Sequence, residues 1–528
     1  MPRKTVEISS ILGGWGQTQY QTGKTEIDSS IGIDPDLSIG TPVKTSGLPI
    51  PAQYADFQGA NVTSPAMWLI TTPKGSTVYA YLANGRFIEY NSALGGENLI
   101  GTVANSSGNG ASYYNNYVYL SGNTDVARYG PLDGAAALVE NVWTGATLGS
   151  QTAMTNTTYP SIRGVSLPNH VMYPHGDLNL YVADVLNGQG VLHAITTQKT
   201  TDEGDTNNAS AYNVLDLPWG YQPVDMESWG LDVAVLANQT TNANINQGKP
   251  GMFFWETTDT DSFYRGPVPL PDTFGTALVN INGELKIFTG NTQGGVRISK
   301  YIGGELISDR SPDTEFLEDS APPFAGATDA YGGRVVFGGY TEYPESSASV
   351  WALGSKKGKL PIGLHNIMRA TSTDATNQIV TSLKFIEQTS AASPKMVVGW
   401  RDNTTQGLDK SSASGTINSM WRTRYVSVGE KFQIKEIHIP LGKAVAANME
   451  LEVVVGLDDE SSTTSVKTIN NTNYTESERK VVLKKPELPN LIGENNFYIE
   501  FNHGLTTTLP QLLPIRVELE TFEDETSD

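Results

Sequence analysis

Histidine and cysteine, the common ligands of transition metals, are scarce in this chain. The 528 residues include six histidines and no cysteine, which excludes a disulfide framework, a Cys-ligated zinc site and a cysteine nucleophile. His170, His175 and His193 are near one another in the sequence and could meet at a metal ion. Their spacing matches no ligand motif, however, and strand geometry would scatter them. The sequence therefore predicts no metal site.

Four carboxylates are the candidates for acid–base chemistry. Glycoside hydrolysis needs two carboxyl groups that converge to about 5–9.5 Å. Asp177, Asp184, Asp232 and Glu284 lie on or beside repeated strands and are the plausible suppliers. The Gly-x-Ser-x-Gly, Walker A and dinucleotide-binding motifs are absent from the sequence. We therefore expect no catalytic residue, no cofactor and no enzymatic activity.

Two acidic turns and a tyrosine cluster are further candidates for ligand binding. The acidic turns lack the Asp-x-Asn/Asp-x-Asn/Asp-Gly pattern of a calcium loop, which favours solvated turn acids. The tyrosines could form a sugar-binding platform, although packing within a sheet is the commoner role of clustered aromatics. The residues concerned are Asp259 and Asp261, then Asp458, Asp459 and Glu460, and finally Tyr113, Tyr114, Tyr117 and Tyr119.

The elements that carry these residues form a repeat. Four stretches, HGDLNLYVAD, WGLDVAVLAN, NGELKIFTGN and GGRVVFGGYT, each combine a glycine, a strand and a turn of small residues. Their glycines, Gly176, Gly230, Gly283 and Gly333, are 54, 53 and 50 residues apart, and a second strand follows each stretch. A lone hairpin cannot bury its apolar face, so the units must pack on one another. The repeat therefore predicts an all-β fold with a β-propeller.

The propeller is predicted to span residues 56–420 and to contain about seven blades. In its first unit, Asn84-Gly85 separates two alternating runs, which predicts a tight hairpin. Six or eight blades are also possible because the unit near residue 397 is degenerate. The count of seven rests on the strand anchors Val78, Val118, Leu180, Val233, Ile287, Val336 and Val397.

Residues 1–55 are predicted to form an extended N-terminal arm. The segment is rich in Gly, Ser, Thr, Pro and Asp and contains few strand-like runs. Trp15, Tyr20, Ile31 and Ile33 would be unusual in a solvated tail, so they are the candidates for an assembly arm that folds on docking. The alternative is a flexible terminus.

Residues 421–528 are predicted to form a C-terminal β-sandwich with an acidic tail. The strands of this segment alternate polar and apolar residues and lack the glycine-anchored repeat. About 100 residues of such strands is the size of a sandwich domain. Phe432, Ile434, Ile437 and Ile439 are its core candidates.

The charge and hydropathy of the chain limit the classes of partner. The net charge is -21, and no basic stripe is present, so we expect no direct recognition of a nucleic-acid sequence. The N-terminus lacks the apolar core of a signal peptide, and no apolar run reaches about 18 residues. We therefore expect no membrane insertion.

The order of parts resembles the virion structural proteins of tailed bacteriophages. Three pieces carry the resemblance: the opening GGWGQTQY…DSSIGIDPD, the blade-like LDLPWGYQPVDMESWGLDVAVLAN…GMFFWETTDTDSFYRGPVPLPD, and the closing WRTRYVSVGEKFQIKEIHIPLGKAV…NNFYIEFNHG…LPIRVELET. Tail nozzle and hub proteins of short-tailed phages are similar in their plan of propeller plus sandwich.

The resemblance implies a structural component of a tailed-virus particle, most simply of its tail, that acts by protein–protein assembly. It implies tail, portal-proximal or capsid proteins as partners, and several copies of this chain around a cyclic axis. The expected location is a virion assembled in the host cytoplasm. The alternative is a receptor- or glycan-binding propeller of the virion; a capsid-surface protein and a glycoside-acting enzyme are further alternatives.

Overall fold

The structure is a computed structural model. It describes residues 2–8, 14–15, 26–31, 54–56, 61–73, 77–91, 96–143, 161–196, 209–239, 249–258, 262–291, 295–310, 320–331, 333–341, 346–354, 363–372, 374, 376–386, 396–411, 419–441, 444–445, 450–458, 463–474, 479–503, 512 and 514–522.

Within these residues the protein is all-β, as the sequence predicted. No α-helix occurs in the described ranges, and one turn of 3₁₀-helix spans Ala325–Ala327. The 53 glycines and 28 prolines of the chain explain this, because they interrupt the sequence too often for long helices. Four short strands precede the repeat: β1 (Arg3–Ile8), β2 (Gly14–Trp15), β3 (Glu26–Ile31) and β4 (Tyr54–Asp56).

The described residues form seven small antiparallel sheets, numbered 1 to 7 along the chain, and each has four strands. Sheet 1 contains β5 (Ala66–Thr71), β6 (Thr77–Leu82), β7 (Arg86–Asn91) and β8 (Gly96–Thr102). Sheet 2 contains β9 (Gly110–Tyr114), β10 (Tyr117–Ser121), β11 (Val126–Gly130) and β12 (Ala137–Trp143), and a hairpin of β13 (Ser161–Ile162) and β14 (Val165–Ser166) follows it. Sheet 3 contains β15 (Met172–Pro174), β16 (Asn179–Leu186), β17 (Gln189–Thr196) and β18 (Ala209–Trp219).

The remaining small sheets repeat this order. Sheet 4 contains β19 (Tyr221–Trp229), β20 (Asp232–Gln239), β21 (Gly251–Trp255) and β22 (Arg265–Pro269). Sheet 5 contains β23 (Phe274–Ile281), β24 (Glu284–Gly290), β25 (Val296–Ile302) and β26 (Glu305–Arg310). Sheet 6 contains β27 (Thr328–Tyr331), β28 (Arg334–Thr341), β29 (Ser347–Gly354) and β30 (His365–Arg369). Sheet 7 contains β31 (Ile379–Phe385), β32 (Met396–Arg401), β33 (Gln406–Ser411) and, at its outer edge, β4.

The small sheets follow one another around a closed circle. The first strand of each sheet contacts the first strand of the next, from β5 through β9, β15, β19, β23 and β27 to β31. Strand β31 then contacts β5, which closes the circle. Successive four-stranded sheets arranged in this way are the β-propeller architecture.

Local turn chemistry sets the hairpins within each sheet. The hairpin predicted at Asn84-Gly85 is confirmed: β6 pairs with β7, and Gly85 has a φ of +80°, which glycine adopts without steric cost. Glycine also permits close contact between sheets. A Cβ on Gly338 of sheet 6 would lie 2.1 Å from Val380 of sheet 7, so any larger residue there would push the two sheets apart.

Aromatic side chains fill the spaces between neighbouring sheets. Phe254 of sheet 4 stacks on Tyr301 of sheet 5 with 4.8 Å between the ring centroids, and Trp229 meets Tyr301 edge-on at 5.2 Å. Phe254 and Tyr301 are fully buried. Burying one such side chain contributes about 1.5–3 kcal/mol, so contacts of this kind hold adjacent sheets together.

Two larger sheets contain the C-terminal strands. These strands are β34 (Ser419–Thr423), β35 (Val426–Ser427), β36 (Phe432–Pro440), β37 (Glu450–Leu457), β38 (Thr463–Asn470), β39 (Lys480–Lys484), β40 (Ile492–Gly493), β41 (Asn496–His503) and β42 (Ile515–Thr521). One sheet has the order β1-β42-β36-β39, with β40 beside β36. The other has the order β2-β3-β34-β41-β37-β38, with β35 beside β41.

The predicted core residues of the C-terminal segment are buried. Phe432, Ile434, Ile437 and Ile439 are at most 2% exposed, which confirms that prediction. Ile434 and Ile437 are three residues apart and would point to opposite faces of a regular strand. A register shift between Ile434 and Glu436 turns both isoleucines to the same side.

The strands of the N-terminal segment pair with distant parts of the chain. Strand β1 pairs with β42, β3 with β34, and β4 with β33. Trp15 pairs with Ile27 within β2 and β3, and Ile31 pairs with Met420 of β34. Tyr20 and Ile33 lie outside the described residues. The role of these four residues in assembly stays a prediction, as do the domain boundaries, which fall inside β4 and β34.

Candidate functional site

Two histidines and an aspartate meet in the interior, where sheets 2 and 3 join. Asp184 lies on β16, His193 lies on β17, and His170 lies in the connection before β15. His170 Nε2 is 3.1 Å from one carboxylate oxygen of Asp184, and His193 Nε2 is 3.1 Å from the other. All three side chains are buried. We call this group the His–Asp–His cluster.

The hydrogen bonds define the proton positions in this cluster. His193 Nδ1 accepts the backbone N–H of Asn213 at 3.0 Å, so Nε2 carries the proton that is donated to Asp184. His170 Nδ1 lies 3.0 Å from the carbonyl oxygen of Gly122, and its Nε2 faces the carboxylate. Both ring nitrogens of His170 therefore face acceptor oxygens, one from the backbone and one from the carboxylate.

The same contacts control the ionisation of Asp184. Burial alone would raise the pKa of this carboxyl, but the hydrogen bonds from His170 and His193 outweigh burial and lower the pKa. The backbone N–H of Val185 donates a further hydrogen bond at 2.7 Å. Asp184 is therefore ionised and connects two sheets through its hydrogen bonds. Both imidazole Nε2 atoms, which could otherwise bind a metal, are directed at its oxygens.

The third histidine of this sequence unit lies elsewhere. His175 Nε2 is 2.9 Å from the carbonyl oxygen of Leu231, which connects the first turn of sheet 3 to that of sheet 4. The prediction that strand geometry scatters the three histidines is therefore wrong for His170 and His193, which meet around Asp184, a carboxylate taken from the other candidate set.

The other three predicted carboxylates occupy equivalent turns of sheets 3, 4 and 5. Asp177 accepts the backbone N–H of Asn179 at 3.1 Å and the hydroxyl of Tyr181. Asp232 accepts the hydroxyl of Tyr264 at 2.8 Å. In the third turn, Glu284 forms an ion pair with Lys286. Each carboxylate is thus engaged inside its own sheet.

Two carboxylates that sequence reasoning missed lie on β19: Asp225 is buried and Glu227 is half-buried. Asp225 accepts the N–H of Met226 at 2.9 Å and, from sheet 5, the N–H of Leu278 at 2.6 Å. Burial raises the pKa of Asp225 to about 8. Burial also raises the pKa of Glu227, which accepts the hydroxyl of Tyr173 at 2.8 Å. The run VDMESW reads as an ordinary alternating strand, so nothing in it signalled burial of its acidic residues.

Asp329 on β27 repeats the arrangement of Asp225. It accepts the N–H of the following residue, Ala330, at 3.1 Å and the N–H of Phe385 on the next sheet at 2.8 Å. Lys384 completes the set with an ion pair at 2.9 Å. The recurrence favours a structural role for such inner-strand carboxylates, which connect one sheet to the backbone of the next.

The tyrosine cluster packs mainly within the fold. Tyr114 and Tyr119 are buried, and Tyr113 and Tyr117 are half-buried. Tyr119 contacts Tyr114 and Tyr117 with ring centroids 6.1 and 6.3 Å apart. Packing, rather than an open sugar platform, accounts for these contacts.

Asp458, the described member of the two acidic turns, caps a neighbouring turn. Its carboxylate accepts the backbone N–H groups of Glu494, Asn495 and Asn496 at 2.7, 2.8 and 3.1 Å. Asp259, Asp261, Asp459 and Glu460 lie outside the described residues.

Among the described residues, two leucines on neighbouring turns of the ring are the most exposed large apolar side chains. Leu178, in the turn between β15 and β16, is 74% exposed, and Leu231, between β19 and β20, is 89% exposed. The carbonyls of both turns are held by neighbouring sheets, Leu178 by the Tyr114 hydroxyl and Leu231 by His175. Leu178 has a φ of +69°, a strained conformation for a bulky residue. Strain and exposure together mark this surface as a candidate interaction site.

A separate group of potential metal ligands lies on the C-terminal sheet that contains β36 and β42. Glu436, His438 and Glu518 each offer one ligand atom, and the three atoms lie within 4.8 Å of one another. Sequence reasoning missed this group because Glu518 is 80 residues beyond His438 along the chain (518 against 438).

Comparisons with known proteins add little beyond the fold. No family model and no curated protein matches this chain. Among solved structures, YCF48 bound to D1 peptide has 12% identity, covers 69% of this chain and 97% of its own, and has a TM-score of 0.39. The Myceliophteria thermophila Cps50 (Swd1) beta-propeller domain has 8% identity, coverages of 66% and 97%, and a TM-score of 0.38. The computationally designed Ika8 protein has 12% identity, coverages of 68% and 99%, and a TM-score of 0.37.

Such likenesses say nothing about activity or partners.

In the described residues, no helix is long and apolar enough to cross a membrane.

Proposed function

We propose that this chain is a non-enzymatic structural protein of a tailed-virus particle, most simply of its tail. In this proposal the seven small sheets are the blades of one propeller and the two larger sheets form a β-sandwich. Partners are other virion proteins and further copies of the chain around a cyclic axis. The resemblance of the sequence to phage virion proteins motivates the particle, and the exposed leucines motivate assembly as the activity.

The observation that carries the proposal is the exposed apolar surface formed by Leu178 and Leu231. An apolar side chain on a turn gains nothing from water, and a leucine with positive φ costs about 1–2 kcal/mol relative to glycine. A chain selected only for stability would have glycine there. Retention of leucine fits a surface that is buried against a partner.

The position of the acidic residues supports a role without catalysis. Asp177, Asp232 and Glu284 have partners in their own sheets, and both oxygens of Asp184 are held by imidazoles. Carboxylates committed to such contacts are poorly placed to act together as acid and nucleophile across a substrate.

The first test is whether the chain is a constituent of purified particles of its source virus. Peptide mass spectrometry of gradient-purified particles should find the chain in several copies per particle. Absence of the chain from intact particles would overturn the proposal.

The second test is incorporation of a Leu178→Gly, Leu231→Asp variant supplied in place of the natural chain. Glycine relieves the positive-φ strain, so we expect the fold to be retained while incorporation falls about tenfold or more, as for the loss of interface anchors. The matched control is Leu99→Asp, which adds the same charge at an exposed leucine of β8 and should incorporate normally. Normal incorporation of the double variant would show that this surface is not the docking site.

A further inference from the structure

The solvent-facing side of strands β36 and β42 holds two glutamates and a histidine in a fixed register. Glu436 pairs directly with Glu518 across the strands, and His438 is two residues from Glu436 on the same side. The alternate residues Ile437 and Val517 are fully buried, which anchors both strands from below. The backbone therefore holds the three ligand groups on one rigid surface.

The side chains already lie close to the positions that a metal ion requires. His438 Nε2 is 2.9 Å from Glu436 Oε2 and 3.7 Å from Glu518 Oε1. A tetrahedral zinc ion with bonds of about 2.1 Å holds its ligand atoms about 3.4 Å apart. The observed separations bracket that value. The side chains of His438, Glu436 and Glu518 are 17, 34 and 21% exposed, so an ion could enter while much of its hydration is replaced.

The electrostatics of this surface favour a cation. Two glutamates directly opposite each other on paired strands repel, and a positive charge between them is needed to offset the repulsion. Arg516 supplies part of it, with its guanidinium 2.9 Å from Glu518 Oε1. Lys484 lies opposite Glu436, and Glu7 lies opposite Arg516, so these two neighbours contribute charges of opposite sign.

We propose that Glu436, His438 and Glu518 bind a divalent transition-metal ion of the zinc type. The donor set of one imidazole and two carboxylates suits such an ion, since nitrogen and oxygen donors are both present. In the bound state, His438 coordinates as a neutral imidazole through Nε2, with its ring proton on Nδ1, and the two carboxylates compensate the charge of the ion. Three protein ligands leave the fourth position of a tetrahedral ion to water. This site is independent of the virion proposal.

Calorimetric titration of the full chain with ZnCl₂ tests the proposal. We expect one saturable ion per chain. His438→Ala should weaken binding about 100-fold, and Glu518→Gln about tenfold or more. Arg516→Ala should bind as tightly as the natural chain or more tightly, because it removes a competing cation.

The matched control is Glu520→Gln, a change two residues along β42 at a carboxylate paired with Lys435 instead. It should bind zinc as the natural chain does. Glu436→Gln provides a second ligand variant if His438→Ala does not fold, as judged by circular dichroism. Lack of saturable uptake by the natural chain would overturn the proposal, and so would unchanged binding in the ligand variants.

Discussion

At the scale of single residues, the His–Asp–His cluster shows how a repeat fold tolerates charge in its interior. Asp184 is ionised because His170 and His193 supply the hydrogen bonds that water would otherwise supply. His170 also contacts the carbonyl oxygen of Gly122, which follows sheet 2's strand β10, so the hydrogen bonds of the cluster couple sheets 2 and 3.

We predict that Asp184→Asn destabilises the protein by about 1–3 kcal/mol, because it removes the carboxylate that accepts hydrogen bonds from two buried imidazoles. An asparagine amide would also oppose one of the imidazole N–H donors. Urea denaturation at neutral pH measures the change. Asp177→Asn, at an exposed turn of the same sheet, should cost less than about 0.5 kcal/mol. Equal effects of the two changes would show that the cluster adds nothing specific.

The buried carboxyl of Asp225 should make the stability of the protein depend on pH. Its pKa is raised from 3.8 to about 8 by burial, so between these values the folded chain holds a proton that the unfolded chain has lost. Its contribution to stability is fully present below pH 3.8 and is lost as the pH rises through about 8. Asp225→Asn removes this dependence and also loses one acceptor for the backbone N–H groups.

We therefore expect Asp225→Asn to destabilise the protein most at low pH. The difference in unfolding free energy between the variant and the natural chain should shrink as the pH rises, by at most about 1.4 kcal/mol per pH unit for one proton. Urea denaturation at several pH values between 5 and 8 measures it. The control is Thr276→Val on the neighbouring strand β23, a buried change that involves no titrating group. It should lower the unfolding free energy by the same amount at each pH. A constant difference for Asp225→Asn would contradict the assigned pKa.

At the scale of elements, the sequence was informative wherever structure depends on near neighbours. The two-residue turn Asn187-Gly188 pairs Leu186 with Gln189 and so places Val182 opposite His193. Asp184 and His193 are then diagonal neighbours on one face, a relation that the hairpin register alone predicts. The meeting with His170 was not predictable, because it depends on how sheet 2 packs against sheet 3.

Pairing between distant strands left no local signal. The N-terminal segment reads as an arm because its strands are short and polar, yet β1, β3 and β4 pair with strands that begin 512, 393 and 352 residues later (515 against 3, 419 against 26, 406 against 54). Likewise, the register shift at Ile434 and Glu436, which turns both isoleucines inward, is fixed by β42. Pairings of this kind depend on the whole fold.

At the scale of the whole molecule, strand β4 joins the start of the propeller to its end. It pairs with β33 as the outer strand of sheet 7, while β5, which follows it in the sequence, begins sheet 1. Separation of sheets 7 and 1 therefore requires either β4 to leave β33 or the chain between β4 and β5 to extend. The pairing of β4 with β33 therefore closes the ring of sheets, and its strength should limit the stability of the whole ring.

Because the chain has no cysteine, the role of the β4–β33 pairing can be tested with a single engineered disulfide. Ala55 lies directly opposite Lys410, so Ala55→Cys with Lys410→Cys should form a cross-link on oxidation. Closing so long a loop should raise the unfolding free energy of the oxidised form by about 2–4 kcal/mol over the reduced form of the same variant. Ala55→Cys with Ser411→Cys is the matched control, because adjacent residues of a strand point to opposite faces. If the first pair does not cross-link, β4 does not close the ring; if it cross-links without stabilising the fold, ring closure does not limit stability.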